Sequence, residues 1–480
     1  MAKRKSENKI LLTSLFFISS VIFLVIFSWS TSPLFTFFGY DSSMFKAMGS
    51  FMADGLTPYK DFFDHKGPVI IFIEWLGYGL TKSNYTLLLL QTIFLTFALY
   101  GVYKIARLFL SNKKSILLAI VTLPVCSFFM SGQAGNTVEE WILPFIVWSS
   151  YFAVRFFAYK EKEHSYKCSV LYGLTFAFAA FSRLTNVIPV LIIALVILIY
   201  LIKQKAWANI FKNILALIVG ALIITIPVLI WFIANGALKE MLYATFVFNY
   251  KYMKARSFVP DAMKILRHTA RYLLPLVFAI VLQVAMIIKK KDVWLNVLLV
   301  IQSVVAVVMQ VTSALFPHYL YIWVPTIIIT LILAVKDSAV MKWFVRGYAL
   351  LLVVVFVGTN FIAFKKYETF LKESALSYEK NCKDVCNHIP DKNKNILSAN
   401  NNAYIYLDGD IKPCYKYFCT QDLHSSYDEK TKEEWHQLVA SNKADYVIIN
   451  KLGNYPINAI LNLSYKKIYE NQTFLLLEKK

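Results

Sequence analysis

The chain has 480 residues, 58% of them hydrophobic, and a mean hydropathy of +0.53, too apolar for a soluble protein of that length. Its formal net charge is +21, but the basic residues gather in short stretches between apolar runs, so the charge reads as topogenic and gives no reason to expect nucleic acid. Those apolar runs, about 20 residues each, predict a polytopic α-helical membrane protein.

The N-terminal MAKRKSENKI precedes LLTSLFFISSVIFLVIFSW. That run is longer than a signal-peptide core and no A-x-A site follows, so it predicts a retained first span with a cytoplasmic start. Further spans are expected at 84–109, 115–131, 139–159, 168–182, 187–202, 211–234, 270–288, 293–313, 319–335 and 343–363. With the first, at 10–30, they make about eleven. Basic loops at Lys3–Lys5, Lys113–Lys114 and Lys289–Lys291 recur where cytoplasmic loops should lie. An odd count places the C-terminus outside. The segment 69–80, VIIFIEWLGYGL, is too short to cross alone and reads as interfacial or re-entrant. Two units follow from the composition: residues 1–364 as a membrane domain with a long outer loop at 31–68, and residues 365–480 as a small extracytoplasmic α/β domain.

The outer loop is dense in ionisable groups: Asp41, Asp54, Asp61, Asp64, His65 and Lys66. Charges at a membrane edge are costly and tend to be functional. Asp41 reads either as a general base for an acceptor hydroxyl or, plainly, as a solvated loop acid or an N-cap, because Asp41-Ser42-Ser43 precedes the helical MFKAMGSFMA. His65 and Lys66, followed by Gly67-Pro68 at a helix start, suit a lipid-borne phosphate; the plain alternative is headgroup anchoring.

Glu139 and Glu140 open one span, where they can serve the helix dipole, and Arg183 sits in the turn FSRLTN. That arginine could pair with phosphate or with one of the glutamates. Tyr250, His318 and Tyr319 close outer loops, where tyrosines also serve as an aromatic belt.

In the tail, KNILSA, AYIYL, DYVIIN, KIYEN and FLLLE read as strands and TKEEWHQLVASNK as a helix. Asp408-Gly409-Asp410 reads as a turn between strands. Cys126 and Cys168 lie in spans and read as packing residues. Cys382, Cys386, Cys414 and Cys419 suggest two disulfides in an oxidising compartment, with a metal site as the alternative.

Asp41 after the first span, G-x-x-PY-x-D-FFDHKGP at 55–68, GN-x-x-EE-x-x-LP at 135–144, SRLTN, FNYKY and PHY together resemble the bacterial membrane glycosyltransferases of the GT-C fold. Relatives in that group include the protein O-mannosyltransferases and the lipid A aminoarabinose transferase. The resemblance spans residues 1–365 in order. It implies a polyprenyl-phosphate sugar donor and an extracytoplasmic acceptor (cell-surface glycan, lipid or protein) in a multi-pass plasma or inner membrane enzyme of cell-envelope biogenesis. It implies Asp41 as the catalytic carboxylate and His65-Lys66 as the basic pair before Pro68; read from the residues, Arg183 would join that pair around the donor phosphate. Asp64, Glu139, Glu140, Tyr250, His318 and Tyr319 would orient the acceptor. Several relatives carry Asp-Glu where this chain has Asp41-Ser42, so no metal ligand is assigned and a divalent metal stays open as cofactor. Direct displacement implies inversion at the sugar. A lipid-linked glycan flippase or transporter, and a polysaccharide polymerase or ligase, are the competing readings; a transporter calls for charges near the bilayer midplane, which these spans nearly lack.

Overall fold

A computed structural model describes residues 8–34, 39–130, 134–255, 262–312, 315–337, 376–451 and 464–480, with isolated positions between 343 and 350. The expected span at 343–363 falls almost wholly outside the described residues.

Among the described residues, eight helices are long and apolar enough to cross a bilayer: Lys9–Phe27, Asn84–Ala106, Asn112–Met130, Val138–Ala158, Leu184–Lys203, Trp207–Ala234, Val293–Val311 and Pro317–Lys336. Each matches a span expected from the sequence, and the protein is a multi-pass membrane protein. The Trp207–Ala234 helix exposes Ile218, Leu222 and Ile226 along one stripe, as a lipid-facing helix should. The expected span at 168–182 is a 15-residue helix, Tyr166–Ala180. The one at 270–288 ends in a 15-residue helix, Leu274–Ile288. Its helical path begins earlier, at Ala262, and passes through a π turn at Thr269–Leu273. Pro275 has no N–H for the carbonyl four residues back, and the wide turn ahead of it absorbs that loss. The 69–80 segment is a seven-residue helix, Pro68–Glu74, continued by a π turn, Trp75–Gly79; it is too short to cross, as expected.

The chain divides into two compact units. The first comprises Met1–Ser28, Leu88–Val228 and Phe258–Lys365 and holds most of the long helices. Small residues let its backbones approach. A Cβ on Gly173 would lie 1.8 Å from the Leu217 carbonyl oxygen, and one on Gly220 would lie 1.9 Å from that of Val170. The Tyr166–Ala180 and Trp207–Ala234 helices therefore cross glycine-first, a common solution in membranes.

The second unit comprises Trp29–Leu87, Leu229–Ser257 and Lys366–Lys480. Its first helix, Tyr40–Ala53, packs on the Trp75–Gly79 turn through Gly49 and Gly79: a Cβ on Gly79 would lie 2.2 Å from the Gly49 carbonyl oxygen. The C-terminal part carries a four-stranded sheet of β1 (Ile396–Ala399), β2 (Tyr446–Asn450), β3 (Tyr465–Glu470) and β4 (Phe474–Lys479), in the order β1-β2-β4-β3. β1 and β2 are parallel; β4 runs antiparallel to both its neighbours. Leu397, Val447, Ile449 and Leu477 form the core with Trp435 and Val439 of the Glu429–Ala440 helix.

Two readings of the tail are corrected. AYIYL is no strand: Tyr404–Gly409 is a short helix. Its β-prone residues are overruled by packing, with Tyr406 set edge-on to Phe51 at 5.4 Å and 5.6 Å from Phe418. Asp408-Gly409-Asp410 consequently ends a helix instead of joining strands, with Asp410 in the left-handed region (φ 48°).

Candidate functional site

Each unit gathers part of the sequence-predicted set. In the first unit the two glutamates divide their work. Glu140 closes a capping box, accepting from the Thr137 backbone N–H at 3.0 Å, and takes a second bond from Gln91 at 3.3 Å. Glu139, 2% exposed, accepts from the Arg183 guanidinium at 2.6 Å. That guanidinium lies over the Tyr319 ring, 3.5 Å from its centroid, and His318 packs edge-on to the same ring at 4.5 Å. Arg183 thus takes a glutamate as partner, one of the two pairings the sequence left open.

In the second unit the cap reading of Asp41 is corrected. Gly39 is the N-cap of Tyr40–Ala53, and Asp41 lies in the first turn, where its charge suits the helix dipole. Ser43 anchors that turn by donating to the Asn402 side chain at 2.6 Å.

The DHK motif is built just before the Pro68–Glu74 helix. Asp64 is 1% exposed, with Oδ1 3.1 Å from His65 Nδ1 and Oδ2 3.5 Å from Lys66 Nζ. Burial alone would raise its carboxyl; the neighbouring Lys66 and His65 override that and hold it well below the usual carboxylate range. The backbone on both sides is fixed: the Tyr59 hydroxyl donates to the Lys66 carbonyl at 2.8 Å, and the Asn249 amide donates to the His65 carbonyl at 2.5 Å. Tyr252 stacks on the His65 ring at 5.2 Å.

The tail supplies His424, from the Gln421–Ser425 helix. It is 3% exposed and boxed by Phe63, Phe248 and Tyr417, with ring centroids 5.6–6.1 Å away. Burial pushes its pKa down to about 4, so the ring is neutral near pH 7. Candidate ligand atoms of Asp64, His65 and His424 all lie within 4.8 Å of one another. Among the described residues, no such group of three includes Asp41. A divalent metal is therefore better served by the DHK cluster than by the first helical turn. Cys419 lies beside the same charges: burial and Asp64 raise its thiol to about 12, with Lys66 and Asp41 also acting on it.

Sequence reasoning named Tyr250, which is 62% exposed; the same helix instead presents Asn249, Tyr252 and Lys251, the last paired with Asp428 at 2.7 Å. It missed His424, which lies in a polar tail stretch with no ligand-like spacing to another histidine. It also missed Lys46, fully buried and donating to the Ser30 carbonyl. Burial lowers the Lys46 pKa to about 7 against the pull of Glu74 and Glu379. A lysine one turn past Asp41 in an otherwise apolar helix was the available signal.

The four tail cysteines are free thiols in the structure. Cys382 and Cys386 sit one turn apart on the Leu376–Asn387 helix, both buried, and burial raises the Cys382 thiol well above its usual value.

Several solved membrane transferases share this fold. ArnT from Cupriavidus metallidurans in the apo state superposes with a TM-score of 0.59 at 11% identity, covering 98% of this chain and 97% of that one. The same protein bound to undecaprenyl phosphate gives 0.57 at 12% identity with the same coverage. The Archaeoglobus fulgidus oligosaccharyltransferase tethered to an acceptor peptide gives 0.54 at 11% identity, covering 98% of this chain and 74% of that one. The architecture is the GT-C fold expected from the motifs. No curated protein matches the chain by sequence. Residues 2–363, three quarters of the chain, match the family described as "Putative competence-induced protein Ccs4 N-terminal domain", and the chain belongs to that family.

Proposed function

We propose that the chain is a glycosyltransferase that moves a sugar from a polyprenyl-phosphate donor to an extracytoplasmic acceptor. The observation that carries this reading is the Asp64–His65–Lys66 cluster, built on a buried carboxylate beside a helix start, in a fold shared with an ArnT bound to undecaprenyl phosphate. A second neighbour, the oligosaccharyltransferase AglB, is bound to a dolichol-phosphate and an inhibitory peptide.

The acceptor hydroxyl attacks the anomeric carbon as the carbon–oxygen bond to phosphate breaks. The bonding pair leaves with the polyprenyl phosphate, and Asp41 takes the hydroxyl proton. Lys66, 15% exposed and 5.4 Å above the Phe45 ring, meets the growing negative charge in a poorly hydrated setting, where preorganised charge acts most strongly. Backside attack gives inversion. Glu139 is committed to Arg183, so orientation of the acceptor falls to groups with free valence. The tail domain at 365–480 faces outward in this reading, with the N-terminus cytoplasmic.

Native mass spectrometry of the detergent-purified chain with undecaprenyl phosphate tests the donor assignment. The wild type should retain one lipid, and Lys66→Ala should weaken retention about 10- to 100-fold, the worth of a hydrogen bond to a charged group. Equal retention by both proteins would remove Lys66 from the donor site.

A further inference from the structure

We propose that Asp64, His65 and His424 form a three-ligand site for a divalent transition metal of the zinc type, fastening the first outer loop to the tail helix Gln421–Ser425 within the second unit. The donor set is one carboxylate and two imidazoles, a combination that zinc takes with an open fourth position. All three candidate atoms lie within 4.8 Å of one another. Around a bound zinc, with bonds of about 2.0–2.2 Å, ligand atoms stand roughly 3.3–3.5 Å apart, a spacing that Asp64 Oδ1 and His65 Nδ1, 3.1 Å apart, already approach.

An independent observation points to a ligand. His424 Nδ1 is buried and has no hydrogen-bond partner. A buried imidazole nitrogen left unmade costs free energy that a metal bond would recover. The three aromatic rings around His424 hold it in place, and Tyr252 does the same for His65. Such support is what orients the ligands of a metal centre. Lys66 is the resident competitor, with its ammonium 3.5 Å from Asp64. A metal on Asp64 would displace that contact and free Lys66. The four tail cysteines contribute nothing to this group, so the proposal differs from the cysteine-based alternative raised by the sequence.

The experiment uses the full chain in detergent, stripped with a chelator and dialysed. Equilibrium dialysis against zinc chloride, read by elemental mass spectrometry, should give one zinc per chain. Cobalt loading should give the strong visible absorption of a four-coordinate site. His424→Gln keeps the size of the side chain and should weaken zinc binding and abolish the cobalt band. The loss should be at least the roughly 10- to 100-fold seen when only an outer partner of a ligand is removed. His388→Ala, at a half-exposed position paired with Asp384, should bind as the wild type does. A melting curve confirms that each variant is folded. Absence of stoichiometric zinc, or equal binding by wild type and a folded His424→Gln, overturns the site. The readout is metal content, so either result leaves the glycosyltransferase reading to its own lipid-binding test.

Discussion

Glu139 in the first unit and Asp64 in the second are both carboxylates with no more than 2% exposure, and both face a cation. Glu139 meets its arginine at 2.6 Å, and the arginine's face is covered by Tyr319. Asp64 meets its lysine only at 3.5 Å, next to a buried histidine nitrogen with no partner. A closed pair of the first kind positions structure; a buried polar cluster left partly unmade is where a ligand should be sought. In sequence Asp64 stands next to its bases, whereas Glu139 and Arg183 are 44 residues apart. The two clusters differ in geometry as well.

The sharpest test lies on the open side. Asp41→Asn should reduce sugar transfer by about 100- to 10,000-fold, the usual worth of a general base. Stability should fall by no more than about 0.3–1 kcal/mol, the dipole contribution of a first-turn acid. Turnover within a few-fold of wild type would end the assignment.

The closed side should fail differently. Glu139→Ala leaves the Arg183 charge without its carboxylate. Breaking a buried pair costs about 3–5 kcal/mol, and the low end applies because Arg183 keeps a quarter of its side chain exposed. The expected result is a clear drop in melting temperature. Lys66→Ala should lose lipid affinity and melt with a smaller drop, because His65 stays 3.1 Å from the Asp64 carboxylate when the lysine is removed. If Lys66→Ala is the unstable variant and Glu139→Ala the stable one, the contrast between the clusters is reversed.

Lys46 offers a test that depends on pH. Its folded pKa of about 7 lies below the ordinary 10.5 of the unfolded chain. Between those values the unfolded state holds the proton and the folded state does not, so stability rises with pH across that window. The slope is at most about 1.4 kcal/mol per pH unit. Lys46→Met should flatten it, as read from melting curves between pH 7 and 10. An unchanged slope would mean that Glu74 and Glu379 keep the lysine charged.

Much of the fold was legible because hydrocarbon imposes a simple demand. Every backbone group must be satisfied within a span, so long apolar runs become helices whatever else they do. The site was legible only where it is local in sequence. Asp64, His65 and Lys66 are adjacent, so the motif named all three, but it gave Asp64 to the acceptor and did not report the pairing with His65 and Lys66. His424 and Asn249 reach that motif through tertiary contacts, and nothing in a linear pattern reports them. The AYIYL error has the same origin: intrinsic β preference is weak, and contacts of Tyr406 with Phe51 and Phe418 outweighed it. The aromatic segment FNYKY could be named from sequence, but which of its side chains turns inward depends on the helix phase set by Asn249.

That phase yields the smallest expected effect. Tyr250 is 62% exposed, and Tyr250→Ala should change stability by no more than about 0.5 kcal/mol, as surface substitutions do. Tyr252→Ala removes a ring stacked 5.2 Å from His65 and should cost about 0.5–1.5 kcal/mol beyond lost area. A melting comparison separates the two. The neutral outcome for Tyr250 has a second use, because a side chain that holds up nothing is free to meet substrate. If Tyr250→Ala raises the acceptor KM with melting temperature and lipid retention unchanged, Tyr250 belongs to the acceptor side, where the sequence motif placed it. If KM is also unchanged, the acceptor is met by other groups and Tyr250 serves the membrane interface.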